Sequence, residues 1–107
     1  MSKFELRGKT AIVTGGAGGI GTCIAMEYAR VGANVVVASR NLENLEKVAA
    51  DIKSLGSDSL AIAVDITDPD QVDSMVQETV DKFGCLDVIV NNAGGGSSMK
   101  MLLASQL

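Results

Sequence analysis

Residues 14–21 read TGGAGGIG, five glycines in eight positions, directly behind the aliphatic run TAIV (10–13). Glycine has more backbone freedom to lose than any other residue, so a folding chain concentrates it only where a side chain cannot be tolerated. Beyond the glycines, apolar residues recur with helical period from Ile20 to Val31, and Gly32 ends the segment. A strand, a glycine turn and a helix in that order can hold a dinucleotide pyrophosphate. Three demands account for the glycines. The chain reverses sharply on leaving the strand (Gly15). Backbone must come within hydrogen-bonding distance of phosphate oxygens (Gly19). The helix must lie close against the strand (Gly21).

The free N–H groups of the helix that opens near Ile20, together with its dipole, then face an anion. Residues 15–29 contain no Lys or Arg, so a phosphate bound here is held by backbone and dipole. Gly15, Gly16, Ala17, Gly18, Gly19, Ile20 and Gly21 together are the candidate cradle. Both Gly16-x-Gly18-x-x-Gly21 and the wider Gly15-x-x-x-Gly19-x-Gly21 spacing fit the sequence, and a plain turn also uses glycine. The position between an aliphatic run and a helical period favours the cofactor loop.

The rest of the chain alternates in the same manner. Aliphatic runs recur at NVVVA (34–38), LAIAV (60–64) and LDVIV (86–90), as expected of strands buried on both faces. Between them, Leu42, Leu45, Val48, Ala49, Ile52 and Leu55 fall on one helix face, and Val72, Met75, Val76, Val80 and Phe83 on another. Asp68-Pro69-Asp70-Gln71 reads as a helix start, with an acceptor at the cap and proline in the first turn. Gly56 and Gly84 stop these two helices. The order β-α-β-α-β-α-β predicts an α/β fold of Rossmann type, a doubly wound parallel sheet with helices on both faces.

Several function classes drop out on composition. The nine basic residues are scattered and the net charge is −4, so no stripe exists to track a nucleic-acid backbone. No histidine is present, which removes imidazole bases and ligands, and no metal site is read. Cys23 and Cys85 fit two reduced cysteines in or near the core. The charged start MSKFELRGK is unlike a signal peptide, and no apolar run reaches the ~20 residues of a membrane span. A cytoplasmic protein without a membrane partner is expected. At 107 residues, 47% of them hydrophobic and 3% aromatic, the chain has room for one aliphatic core.

TGGAGGIG together with NNAG (91–94) resembles the short-chain dehydrogenase/reductase family in its classical form, along the whole chain. The resemblance implies a sheet of strand order 3-2-1-4 with the cofactor across the carboxyl ends of its strands. It also implies that Asp65, in AVDITD, accepts from the adenine amino group beside Ile66. Asn92, Ala93 and Gly94 would underlie the nicotinamide ribose, with Asn91 pinning strands together. A helix cap at Asp65 and a plain asparagine turn at 91–92 are the alternatives.

The second strand ends in Ser39 and Arg40, where an NAD-selecting site carries a carboxylate for the ribose diol. Without it nothing repels a 2′-phosphate, and a guanidinium can grip one bidentately. NADP(H) is therefore the expected cofactor and NAD(H) the lesser one, unless Arg40 is merely a solvated neighbour of the next helix.

Family catalysis uses a serine and a Tyr-x-x-x-Lys pair. The single tyrosine, Tyr28, is followed four positions later by Gly32, so no catalytic residue is assigned. The chain resembles the amino-terminal, cofactor-binding part of a longer NADP(H)-dependent oxidoreductase acting on a carbonyl, alcohol or enoyl substrate, with homo-oligomerisation expected of the full protein. On that reading the isolated chain, with the LDVIV strand at a sheet edge, is expected to be marginal or self-associating. A binding module that senses or stores NADP(H) is the alternative.

Overall fold

A computed structural model describes residues 6–15 and 19–91, Asn91 by its backbone alone. Four strands and three helices alternate: β1 (Thr10–Thr14), α1 (Gly19–Arg30), β2 (Asn34–Ser39), α2 (Leu42–Ser54), β3 (Ser59–Ala63), α3 (Pro69–Phe83) and β4 (Val88–Asn91). The strands form one parallel sheet of order β3-β2-β1-β4, as the family resemblance implies.

Both faces of the sheet are apolar, and the period of two sorts the side chains between them. Val13, Val35 and Val37 join Ala25 and Ala29 of α1 and Leu45, Val48, Ala49 and Ile52 of α2. Ile12, Val36, Ala38 and Ile62 point the other way and meet Val72 and Met75 of α3, with Ile89 of β4 beside them. A fully buried Val, Leu or Ile contributes about 1.5–3 kcal/mol, so the helices are held chiefly by these two layers. The continuous apolar runs of β1 and β2 are thus required by the fold, because neither strand has a face turned to water.

The boundaries differ from the sequence reading where side chains intervene. The run 86–90 becomes a strand only at Val88, because Asp87 engages β1 by another route. Its carboxylate accepts from Thr10 N at 2.9 Å, and its own N–H donates to the Thr10 carbonyl at 2.9 Å. Leu42, the first residue of α2, and Leu55, its C-cap, stay exposed at 42% and 44%, so the apolar face they were expected to share is buried only between them. Thr79, absent from the apolar pattern, is fully buried because its hydroxyl donates back to the Met75 carbonyl at 2.8 Å. Cys23 is exposed on α1 rather than in the core, and Cys85 is half-buried with its sulfur 3.4 Å from Thr10 Oγ1; both are free thiols. No helix among the described residues is long and apolar enough to cross a membrane.

The ends of α3 follow the sequence signals closely. Asp68 accepts from Asp70 N at 3.0 Å with Pro69 in the first turn, and Gly84 closes the helix at φ 81° with its N–H on the Val80 carbonyl. That left-handed turn suits glycine. Gln71 joins two segments. Its amide nitrogen reaches the Asp68 carboxylate at 3.2 Å, and its amide oxygen accepts from Asp65 N at 2.8 Å. It therefore ties the preceding loop to the helix.

Loss of an N-cap acceptor costs about 0.5–2 kcal/mol. Asp68→Ala should lower the free energy of unfolding by about 1 kcal/mol, read as a shift of the urea midpoint at unchanged m-value.

Candidate functional site

The parallel register brings the carboxyl ends of all four strands to one edge. Thr14 stands level with Ala38 on one side and with Asn91 on the other, and Ser39 stands level with Ala63. Sequence order reverses across β1, whose neighbours are β2 and β4. Such a switch point is where open α/β sheets receive ligands. Every candidate residue falls in sequence at or just after the carboxyl end of a strand, and those ends lie along this one edge.

After β1 the chain turns at Gly15, whose φ of 69° is left-handed and so favours glycine. Its N–H donates to the Ala38 carbonyl at 2.7 Å, which holds the turn against β2. Gly19, the first residue of α1, has no such backbone need. A Cβ built there meets nothing within 4 Å, so the protein's own packing does not call for glycine either. Gly21 is buried against the sheet, whereas Ile20 is 70% exposed, an apolar side chain left in water beside the same opening.

The electrostatics of α1 agree with an anion site. The first turns of α2 and α3 carry Glu43 and Asp70, while α1 has no acidic residue in its first turn. The partial positive charge at that helix mouth is thus left uncompensated by side chains. Gly16, Ala17 and Gly18 of the cradle lie outside the described residues, as do Asn92, Ala93 and Gly94 at the far end of the site.

At the other side of the edge, Ala38, Ser39, Arg40, Asn41, Val64 and Ile66 line a cleft of about 330 Å³. That volume is at the lower end of the ~300–1,000 Å³ typical of ligand pockets. The predicted Ser39, Arg40 and Ile66 come together in it, and Asp65 stands alongside. Ser39 Oγ accepts from Asn41 N at 3.2 Å, and Asn41 in turn caps α2 by accepting from Asn44 N at 3.4 Å. Arg40, held between these two, reaches outward with its side chain 77% exposed, and its Nη2 lies 3.6 Å from Asp65 Oδ1.

Asp65 does not cap α3, which settles one of the sequence alternatives in favour of Asp68. Its Oδ1 accepts from both Thr67 N at 3.0 Å and Thr67 Oγ1 at 2.6 Å. These bonds, the side-chain one first, stabilise the ionised form and hold the Asp65 carboxyl below its ordinary value; Arg40 lowers it further. Thr67 and Gln71, which fix this loop, were missed by the sequence reading. The Asp-x-Thr spacing of an Asx turn is the signal that could have found Thr67; Gln71 left none, being assigned to the helix start.

Tyr28, by contrast, packs against the core formed with α1 and α2. Its carbonyl accepts from Val31 N and Ala33 N at the last turn of α1, which lies at the opposite, amino edge of the sheet.

A sequence profile of the short chain dehydrogenases matches residues 9–106. The chain is 47% identical over 87 residues to the 3-oxoacyl-[acyl-carrier-protein] reductase FabG of Staphylococcus aureus, covering 80% of this chain and 35% of that protein. Among solved structures, a metagenomic short-chain oxidoreductase in complex with NADP superposes with a TM-score of 0.78 at 36% identity, covering 85% of this chain and 41% of that one. An NAD+-bound xylitol dehydrogenase superposes with a TM-score of 0.81 at 33% identity, covering 85% and 35%. The chain spans 33–40% of the length of the first curated relatives it matches.

The Asp65–Thr67 geometry has a pH signature. Because the folded carboxyl titrates below its unfolded value of about 3.9, its contribution to stability is complete above that value and fades as pH falls through the lower, folded one. Carboxyl NMR should place the Asp65 midpoint below about 3.9 in the native protein, and Thr67→Val should move it upward by removing the strongest of its hydrogen bonds.

Proposed function

The chain belongs to the short chain dehydrogenase family, and from that premise we propose that it supplies the cofactor-binding part of an NADP(H)-dependent oxidoreductase. The substrate class is a carbonyl or alcohol, or an enoyl compound, and the full protein is a homo-oligomer. Relatives are described as reductases and dehydrogenases, which supports an enzyme over a module that only senses the nucleotide.

The observation that carries the choice of cofactor is Arg40. It stands at the mouth of the cleft after β2, at the place where a carboxylate would select the ribose diol of NAD. The guanidinium is exposed and has five donors for a phosphate. Both nicotinamide cofactors occur among the solved neighbours, so the selection is argued from this residue.

The remaining parts of the chain fit a dinucleotide by their own geometry. The turn at Gly15, the open space over Gly19 and the uncompensated mouth of α1 suit the pyrophosphate. The Arg40 cleft suits the adenosine end, with Asp65 and the Ile66 backbone toward the adenine. Asn92, Ala93 and Gly94 are assigned to the nicotinamide ribose on the family resemblance alone. When bound, the nicotinamide ring gives or takes the hydride exchanged with the substrate. The work of this chain is to hold the nucleotide at both ends so that the ring is presented beyond the edge of β4. No residue of the chain is given a role in proton transfer.

A charge-assisted contact is worth about 1.5–3 kcal/mol. Arg40→Ala should therefore weaken NADPH binding roughly ten- to a hundredfold while leaving NADH binding nearly unchanged, as read by fluorescence titration with each cofactor. Equal losses for both would remove the assignment of Arg40 to the 2′-phosphate.

A further inference from the structure

Asp65 touches the selecting guanidinium itself. Its Oδ1 is 3.6 Å from Arg40 Nη2, and that oxygen is not free to swing away. Thr67 holds it through both a backbone and a side-chain hydrogen bond, and Gln71 anchors the Asp65 N–H at 2.8 Å. A fixed negative charge thus stands beside the one cation among the described residues that line the cleft.

We propose that Asp65, held in place by Thr67, is a specificity-determining residue that tempers the preference of Arg40 for a 2′-phosphate. The inference rests on the reading that Arg40 receives that phosphate. In the free protein the carboxylate partly neutralises the guanidinium. A phosphate monoester, carrying about 1.5–2 negative charges at neutral pH, must then share Arg40 with a carboxylate that cannot withdraw. The ribose diol of NAD brings no charge and meets no such opposition. Asp65 therefore draws the two cofactors closer in affinity than Arg40 alone would set them, and Thr67 serves this by keeping the carboxylate in place.

The ratio of affinities isolates this effect. Any contact between Asp65 and the adenine is common to NADPH and NADH and cancels. Only an interaction with the 2′ position survives in the ratio. Exposed ion pairs are worth at most about 1 kcal/mol, which converts to a factor of about five.

The test is a titration of NADPH and NADH into the protein expressed from the full reading frame, wild type against Asp65→Asn. Asparagine keeps an oxygen for the two Thr67 donors, so the loop retains its bonds while the charge is lost. The expected result is a rise of about two- to fivefold in the preference for NADPH at low ionic strength. That gain should shrink toward unity at about 1 M salt, where the screening length falls to about 3 Å.

A preference that is unchanged or reduced in Asp65→Asn overturns the proposal. So does a gain that persists at high salt, because a change of loop structure would not be screened. The underlying reading fails separately. If Arg40→Ala weakens both cofactors alike, Arg40 is not the 2′-phosphate residue; if Arg40→Ala is selective and Asp65→Asn is silent, only the tempering role is lost.

Discussion

The pairing of β1 on both sides is the constraint from which the rest of the structure follows. Thr10–Thr14 is buried throughout, with β2 along one side and β4 along the other. Every residue of the strand must be tolerated in a dry layer, so even the two threonines are tied by hydrogen bonds. Thr14 Oγ1 donates to the Val90 carbonyl at 3.2 Å, and Thr10 Oγ1 accepts from Asn34 Nδ2 at 3.4 Å. With three strands locked in parallel register about this axis, their carboxyl ends must finish level. The loops that leave them then share one rim.

That rim carries two kinds of recognition with different physics. At the mouth of α1 there is neither a basic residue between 15 and 29 nor an acidic one in the first turn. The attraction available there comes from peptide N–H groups and the helix dipole, which act on an anion irrespective of what is attached to it. At the end of β2 the attraction is a side-chain charge on a flexible stem. Its strength depends on the neighbouring carboxylate and on salt. On the proposed function, retention of the nucleotide and discrimination between nucleotides are separated along the edge.

The elements were legible because their signals are local. Short continuous aliphatic runs against period 3.6, the cap at Asp68 with Pro69, and the stop at Gly84 each need only a few neighbouring residues. The candidate site was legible in part. Gly15 stands out because its left-handed turn behind the first strand suits glycine, and Gly19 because it falls where the helix opens. Arg40 stands out by where it falls after its strand. Gly16, Ala17, Gly18, Asn92, Ala93 and Gly94 rest on the family motif.

The sequence by itself determined the alternation of elements, the burial of the strands on both faces, and the placement of glycines behind the first strand. These are properties of single segments, governed by backbone sterics and hydrophobic period. Only the tertiary structure decided that Asp65 faces Arg40, that Thr67 and Gln71 hold its loop, that Asp87 docks on Thr10, and that Cys23 lies outside the core. The Asp65–Arg40 and Asp87–Thr10 contacts join residues far apart in the chain, which leave no period in the sequence to be read; the Thr67 and Gln71 bonds are local, but which acceptor each side chain takes is set only by the folded loop.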